Sequence, residues 1–333
     1  MSKKAIIFLA FVFCCFGTTV SAQEETGTKN PLMLFFPIGY DGLWLEDQTV
    51  HSPFGGIGFM FGKHGLPFNQ VERRFFGMAM YQPFILSDAP LSELPTYYHE
   101  IKGMFDGRIG RHQILGIFRT RTDDPVSSGF KAFRIGTGWG YEVIRQPQIS
   151  LILGAALHFG DLTASSLWDK PLYVMPSPLI RFGIDTKWLS SSIDYYGVPM
   201  FSFTVAPQER IRLTGNMQME KYRSISDLDC AFTLWYRFFA PDHKIRGREI
   251  GDIAGVGIGF KNTVKYFDLS PETPMDTFDI QQSSIFGILD ISLLKFQCGW
   301  VFNSNYLVDS EKIISPGRGF FLSVQGSIPI RLR

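Results

Sequence analysis

The chain has 333 residues, with 32 basic and 31 acidic side chains, so its formal net charge is +1. This near-neutral balance gives no reason to expect a nucleic-acid partner. A mean hydropathy of +0.05 is too high for a disordered chain and too low for a bundle of membrane-spanning helices. The composition combines 33 Gly with 32 Phe, and any proposed fold has to account for both.

The first 22 residues have the pattern of a cleaved secretory signal. Lys3 and Lys4 precede an apolar run over residues 5–17, which is too short to anchor the chain in a membrane. Residues 20–22 are Val-Ser-Ala, which places small residues at the −3 and −1 positions before Gln23. The sequence therefore predicts an exported protein whose mature chain begins at Gln23.

The region that follows contains many segments in which apolar and polar residues alternate. In residues 131–143, Phe133, Ile135 and Trp139 fall on one face, whereas Arg134 and Glu142 fall on the other. A period of two is typical of a β-strand. Similar alternation marks 150–160, 210–220, 228–238, 254–261 and 320–332. With weaker candidates the total is about fifteen segments.

Strand length and the chemistry of the two faces separate a membrane barrel from a soluble sandwich. Strands of globular proteins are usually about 5–6 residues long, whereas a strand that crosses a bilayer at a tilt needs about 9–11. Several segments here have ten or more residues. Their apolar face carries Trp and Tyr near the strand ends, and the opposite face carries Arg, Glu, Asn, Gln and Gly, as in a wet barrel interior.

In these respects the chain resembles the outer-membrane β-barrel proteins of Gram-negative-type bacteria. The resemblance covers roughly residues 50–333 and points to an architecture rather than to one family. It implies an all-β fold, a transmembrane antiparallel up-and-down β-barrel of about 14 strands, within a range of roughly 12–16. It also implies location in the bacterial outer membrane, with outer-membrane lipid and the barrel-insertion machinery as partners.

The predicted organisation has three parts. Residues 1–22 form the cleaved signal peptide, residues 23–50 form an N-terminal extension or the first strand, and residues 51–333 form the outer-membrane barrel. Of the four cysteines, Cys230 and Cys298 lie beyond the signal. They could form a disulfide, but Cys230 falls on the apolar face of its strand, which favours two small hydrophobic residues.

No pattern of catalytic or metal-binding residues stands out. Residues 255–259 read Gly-Val-Gly-Ile-Gly, but strand-like alternation follows instead of the helix that a dinucleotide site requires. Residues 303–305 lack the His and Gly of a barrel phospholipase, and no Gly-x-Ser-x-Gly is present. No Cys/His cluster has metal spacing. We therefore expect no cofactor, no metal and no enzymatic activity, with an outer-membrane hydrolase as the remaining enzymatic alternative.

Charged residues on the polar strand faces are the candidates for function. They are predicted to line an aqueous path and to set solute preference. The alternative is that they pair across strands and plug a narrow barrel. Seven are basic and three acidic, which favours anions if a pore exists. The candidates are Arg134, Glu142, Arg181, Arg210, Arg212, Glu220, Asp229, Arg237, Lys261 and Arg331.

The sequence thus favours a passive, porin-like channel for small solutes. A non-conducting barrel that serves as a surface anchor, adhesin or binding module is the first alternative, and a hydrolase is the second.

The barrel prediction has a direct test on a gel. A closed barrel resists unfolding by detergent at room temperature, so extracted protein should migrate differently before and after boiling. A soluble periplasmic sandwich should show no such shift. Identical migration of both samples in the outer-membrane fraction would contradict the barrel.

Overall fold

The computed structural model describes most of the chain between Leu32 and Leu332. The described ranges are 32–62, 73–88, 96–123, 133–160, 174–196, 199–219, 228–239, 244–245, 248–249, 254–268, 277–291, 293–308 and 312–332. The predicted signal at 1–22, and the 23–50 segment as far as residue 31, lie outside these ranges. Within them, no helix has the length and apolar character needed to cross a membrane.

Every regular element in the described ranges is a β-strand. In chain order they are β1 Leu32–Leu45, β2 Thr49–Gly62, β3 Arg73–Ser87, β4 Tyr97–Ile109, β5 His112–Thr122, β6 Phe133–Arg145, β7 Ile149–Gly160, β8 Val174–Asp185, β9 Leu189–Tyr196, β10 Pro199–Val205, β11 Ile211–Met219, β12 Leu228–Arg237, β13 Lys244–Ile245, β14 Arg248–Glu249, β15 Ala254–Asp268, β16 Thr277–Ile291, β17 Leu294–Val308, β18 Lys312–Ile314 and β19 Gly319–Leu332.

Sixteen of these strands form one closed ring. Strands β1 to β12 pair antiparallel in sequence order, and the ring continues through β15, β16, β17 and β19 back to β1. The short strands β13 and β14 pair only with each other, and β18 pairs with the end of β17. The predicted all-β, antiparallel, up-and-down closed barrel is confirmed. The predicted count of about 14 strands is wrong, since the ring has 16.

Strand β1 lies where the alternation of the sequence is weakest. Its outward positions include Phe36 and Ile38, but its inward positions include Phe35 and Leu43, so both faces are apolar. Inside the barrel, the rings of Phe35 and Phe76 stack with centroids 5.6 Å apart. Apolar side chains that pack inside the lumen therefore make the alternation of apolar and polar residues hard to detect in this strand. The barrel begins at Leu32, within the segment 23–50.

The outer face of the ring is apolar along the middle of the strands. Ile258 and Ile285 are 67% and 56% exposed, which is far too much for core residues of a soluble protein but is expected of side chains in contact with lipid. Exposed aromatic side chains lie near both ends of the strands, as in the interfacial girdles of membrane barrels. Examples are Trp44, Tyr81 and Tyr97 at one end and Tyr141, Trp188 and Tyr236 at the other.

The connections between strands define the two ends of the barrel. Leu32 and Leu332 lie at the same end, since the number of strands is even. That end carries the short turns 110–111, 146–148, 186–188, 206–210 and 292–293, together with two longer connections. Most connections at the other end span eight or more residues. Long loops of such barrels face the exterior, so the end with both termini is called the periplasmic end below.

The two cysteines outside the predicted signal are free. Cys230 on β12 is buried and Cys298 on β17 is exposed, and both occupy outward positions of their strands. Strands β15 and β16 lie between them, which prevents a disulfide. They serve as small hydrophobic residues of the outer wall.

The assignment of faces predicts how the barrel responds to charge. Replacing Ile285, in the middle of β16, by Arg should lower the free energy of unfolding by about 2–4 kcal/mol, because the charge would face lipid. The matched change Asn216→Arg faces the wet lumen and should have a much smaller effect. Urea unfolding in lipid vesicles measures both variants. Equal losses would contradict the assignment.

Candidate functional site in the barrel lumen

Small polar side chains line the inner wall from β7 to β12. They occupy inward positions of six neighbouring strands, since alternate residues of each strand face the lumen. They surround a cavity of about 590 Å³ that extends to the periplasmic end of the barrel, called the large cavity below. Its hydroxyl- and amide-bearing lining includes Ser150, Ser190, Ser192, Ser202, Thr204, Thr214, Asn216 and Thr233.

Four charged side chains form a chain of ion pairs at this cavity. Arg181 Nε on β8 donates to Asp194 Oδ1 on β9 at 2.6 Å. Arg181 Nη1 also lies 3.5 Å from Asp106 Oδ2 on β4, and this oxygen lies 3.6 Å from Arg74 Nη2 on β3. Since β4 and β8 are not neighbours, the chain connects two parts of the wall through the lumen. The two positive and two negative charges offset one another.

A second ion pair lies near the periplasmic end and is more buried than the first. Arg108 and Glu142, on β4 and β6, are almost fully buried and contact each other directly through Arg108 Nη2 and Glu142 Oε2. Arg108 Nε also donates to the carbonyl oxygen of Gly110 at 3.1 Å. Arg145 Nε lies 3.6 Å from the same carboxylate oxygen of Glu142. This group holds the β4–β5 turn against β6, which is a structural role.

Apolar side chains fill the lumen on the extracellular side of the large cavity. Ile152, Leu179 and Tyr196 are buried in one cluster on β7, β8 and β9. The Tyr196 hydroxyl donates to the carbonyl oxygen of Leu115 on β5 at 3.3 Å. The inward position at Gly138 on β6 has to be glycine, because a Cβ there would lie 2.7–2.8 Å from Tyr196 and Leu179. Inward glycines of β6 therefore make room for side chains rather than for solvent.

The barrel is pinched at its extracellular end. Strands β5 and β15 lie on opposite sides of the ring, yet Asp268 pairs with Thr122 across the lumen. Next to this contact, Tyr98 of β4 stacks on Phe278 of β16 with ring centroids 4.8 Å apart. These residues belong to a buried cluster that also contains Tyr306. The pinch divides the extracellular half of the lumen into two parts.

Ion pairs flank the pinch. Arg121 Nε on β5 donates to Glu100 Oε2 on β4 at 2.9 Å, and Lys102 Nζ lies 3.3 Å from Glu100 Oε1. Both oxygens of this buried carboxylate therefore have a cationic neighbour. Charge compensation of this kind allows carboxylates and ammonium groups to remain inside a barrel wall.

A smaller cavity of about 220 Å³ lies on the other side of the pinch, between β1–β3 and β15–β19. Lys261 and Lys265 of β15 line it, together with Asp41 of β1. No residue lines both this cavity and the large one. The lumen thus contains two separate polar spaces of different charge.

Of the ten charged residues that the sequence predicts to line the lumen, only some lie at the cavities or ion pairs described above. Arg181 lines the large cavity and Lys261 the small one, whereas Glu142 belongs to the buried ion pair. Arg212 places its guanidinium 5.8 Å from the centroid of the Trp235 ring, and Asp229 occupies an inward position of β12.

The remaining candidates lie at the ends of strands or beyond the described residues. Arg237 donates from Nη1 to the carbonyl oxygens of Pro207 and Glu209 at 2.9 and 3.3 Å, and so holds the β10–β11 turn. Arg210 lies in that turn and is exposed. Arg134 and Arg331 occupy inward positions, but only their backbones are described. Glu220 lies outside the described residues.

Sequence patterns did not single out four lumen residues, namely Arg74, Asp106, Asp194 and Lys265. Around Arg74 the alternation is weak because the inward positions that follow in β3 are Phe76, Met78 and Met80. Lys265 was detectable in principle, since it has the same parity as Lys261 and lies four residues further along β15. The role of Asp106 and Asp194 could not be predicted from their own strands, because it depends on ion pairs with Arg181 on β8.

Comparisons with known proteins give similarity only at the level of solved structures. The OpdQ structure of Pseudomonas aeruginosa shares 10% sequence identity and a TM-score of 0.38, covering 92% of this chain and 100% of that chain. OccAB3 of Acinetobacter baumannii shares 8% and a TM-score of 0.37, covering 90% and 99%. A BenF-like porin of Pseudomonas fluorescens shares 10% and a TM-score of 0.30, covering 92% and 100%. Similarity this distant carries no information about the solutes of this chain.

No protein-family model and no curated protein sequence matches the chain.

The buried ion pair predicts a strong effect on stability. Replacing Glu142 by Gln leaves Arg108 buried without its carboxylate, so the free energy of unfolding should fall by about 3–5 kcal/mol. Glu209→Gln, in the exposed β10–β11 turn, is the control and should change stability by less than about 0.5 kcal/mol. Urea unfolding in vesicles compares them, and a Glu142→Gln variant as stable as the control would contradict a structural role.

Proposed function

We propose that this chain is an outer-membrane channel that admits small hydrophilic solutes by passive diffusion. The large cavity is the observation that carries the proposal, since a polar space of about 590 Å³ reaches the periplasmic end of a closed barrel. A space of this size suits a small solute rather than a macromolecule. The apolar outer wall suits lipid on the outside of the same strands.

The lining of the large cavity favours solutes that form many hydrogen bonds. Hydroxyl and amide groups replace part of the solute's hydration shell, and the ion pairs of Arg181 and Arg74 with Asp194 and Asp106 offer both donors and acceptors. Asp185 also lines this cavity, so three carboxylates stand against two guanidinium groups and the lining does not favour anions. The excess of basic residues among the sequence candidates therefore does not govern the charge of this cavity.

The proposal also assigns roles to the predicted signal peptide and to the charged residues of the lumen. Residues 1–22 would direct export and be removed, and the barrel-insertion machinery would assemble the strands. Among the candidates, Arg181 and Lys261 would contact solutes, because each lines a cavity. Arg237 and Glu142 would support the wall.

A non-conducting barrel is the second candidate function. The pinch between β5 and β15 and the buried cluster around Tyr196 both favour it, because they fill much of the lumen. In that case the extracellular connections, rather than the lumen, would carry the function as a surface anchor or binding module.

Planar bilayers separate these two functions. Refolded protein should produce small, discrete conductance steps, since the lumen is narrow in this conformation. Silence in several salts and across a wide range of voltages would reject the channel and favour the anchor. A lipid-only membrane and a boiled sample are the controls for leakage.

The ion selectivity of the open channel tests whether ions pass through the large cavity. Asp194→Asn removes one acceptor of Arg181 and makes the lining of the large cavity less negative, so the reversal potential in a salt gradient should shift toward anions. Asp47→Asn, in the exposed β1–β2 turn, is the matched control and should leave the reversal potential unchanged. Equal shifts in both variants, or none in Asp194→Asn, would exclude the large cavity from the conduction path.

A further inference from the structure

The small cavity between β1–β3 and β15–β19 contains two ammonium groups that form no direct ion pair within the described residues. Lys261 and Lys265 point into it from β15, and in the described residues no carboxylate oxygen lies within 4 Å of either Nζ. By contrast, each cation of the ion pairs described above has a carboxylate oxygen within 4 Å. The carboxylate that lines this cavity, Asp41, accepts a hydrogen bond from Gln82 Nε2 at 2.8 Å. Two lysines against this one carboxylate give the lining an excess of positive charge.

Aromatic rings hold the two ammonium groups in place. Lys261 Nζ lies 3.8 Å from the centroid of the Phe321 ring, and Lys265 Nζ lies 4.4 Å from that of Phe84. A cation–π contact stabilises a charge through one side of the ammonium group. Each ammonium has three N–H donors, and a ring face does not replace a hydrogen-bond acceptor for all of them. The arrangement leaves donors directed at the cavity.

The rest of the lining is mixed in character. Ser52, Ser284 and Ser323 contribute hydroxyl groups, whereas Leu43, Ile280 and Val301 contribute apolar surface. A ligand that satisfies all of these groups has an anionic oxygen function at one part and a compact apolar body at another. The volume of about 220 Å³ limits it to a small molecule.

We propose that the small cavity is a binding site for a small organic anion, in which Lys261 and Lys265 bind the oxyanion and the apolar lining holds its body. The inference refines the proposed channel function and rests on it for access of solutes to the lumen. The two cavities would then prefer different solutes, since carboxylates outnumber cations in the lining of the large cavity and lysines outnumber the carboxylate in the small one.

Calorimetric titration of the refolded, full-length barrel tests the site with hexanoate, hexanamide and inorganic phosphate as probes. Hexanoate should bind with about one site per barrel. Hexanamide has the same chain without the charge and should bind at least about tenfold more weakly, because it lacks charge-assisted hydrogen bonds to the lysines. Phosphate should bind more weakly than hexanoate, since it has no apolar body.

Single substitutions test whether Lys261 and Lys265 bind the carboxylate of hexanoate. Lys261→Met and Lys265→Met should each weaken hexanoate binding by about tenfold or more. Lys295→Met is the matched control, because Lys295 faces the same lumen from β17 but does not line the cavity, and it should change affinity by less than about twofold. Lys261→Arg keeps the charge and should retain binding within a few-fold, which protects the test against a Met variant that fails to fold.

Several results would contradict the proposed anion-binding site. These are equal binding of hexanoate and hexanamide, affinity unchanged by both Met variants, and an equal loss in Lys295→Met. Tighter binding of phosphate than of hexanoate would reject the apolar part of the site. The titration needs no conductance, so a silent bilayer experiment with intact hexanoate binding would reject the channel alone. Steps in the bilayer without binding would reject the site alone.

Discussion

Pairing of the first strand with the last removes the two free edges of the sheet. Residues from Leu32 to Leu45 lie opposite residues from Leu332 to Gly319 in an unbroken antiparallel register. In the hydrocarbon of a bilayer no water is available to bind an unpaired backbone N–H or C=O group, so an open edge would be costly along its whole length. The apolar outer wall, the enclosed lumen and the even number of strands all depend on this closure.

Closure sets the circumference of the barrel, but the side chains decide how much of the lumen stays open. A ring of 16 strands could enclose a wide channel. Here Ile152, Leu179 and Tyr196 fill one region, and the contact of Asp268 with Thr122 brings opposite walls together in another. Two cavities remain, and they differ in charge because carboxylates outnumber cations in the lining of one and lysines outnumber the carboxylate in the other. Selectivity in this barrel is thus a property of local packing and pairing.

The strands and their inner and outer faces could be predicted where one face meets lipid and the other meets water. Residues 133–145 and 228–237 illustrate this, because their charged residues occupy inward positions whereas their large apolar residues face outward, apart from Trp235. The alternation is lost in β1 and weak in β3, where inward residues such as Phe35, Phe76 and Met78 make both faces apolar. The sites were predictable only in part. Arg181 and Lys261 follow from parity, whereas Asp106 gains its role from an arginine four strands away in the ring.

The amino-acid sequence by itself determined that the chain forms long strands, that one face of each is apolar and that the ends carry aromatic residues. These properties depend on residues within one strand, so a period of two is enough to reveal them. The tertiary structure alone decided the number of strands in the ring, the pinch between β5 and β15, and the division of the lumen into two cavities of different charge. These depend on contacts between strands that are distant in the chain, and the alternation within a strand contains no information about its partners across the barrel.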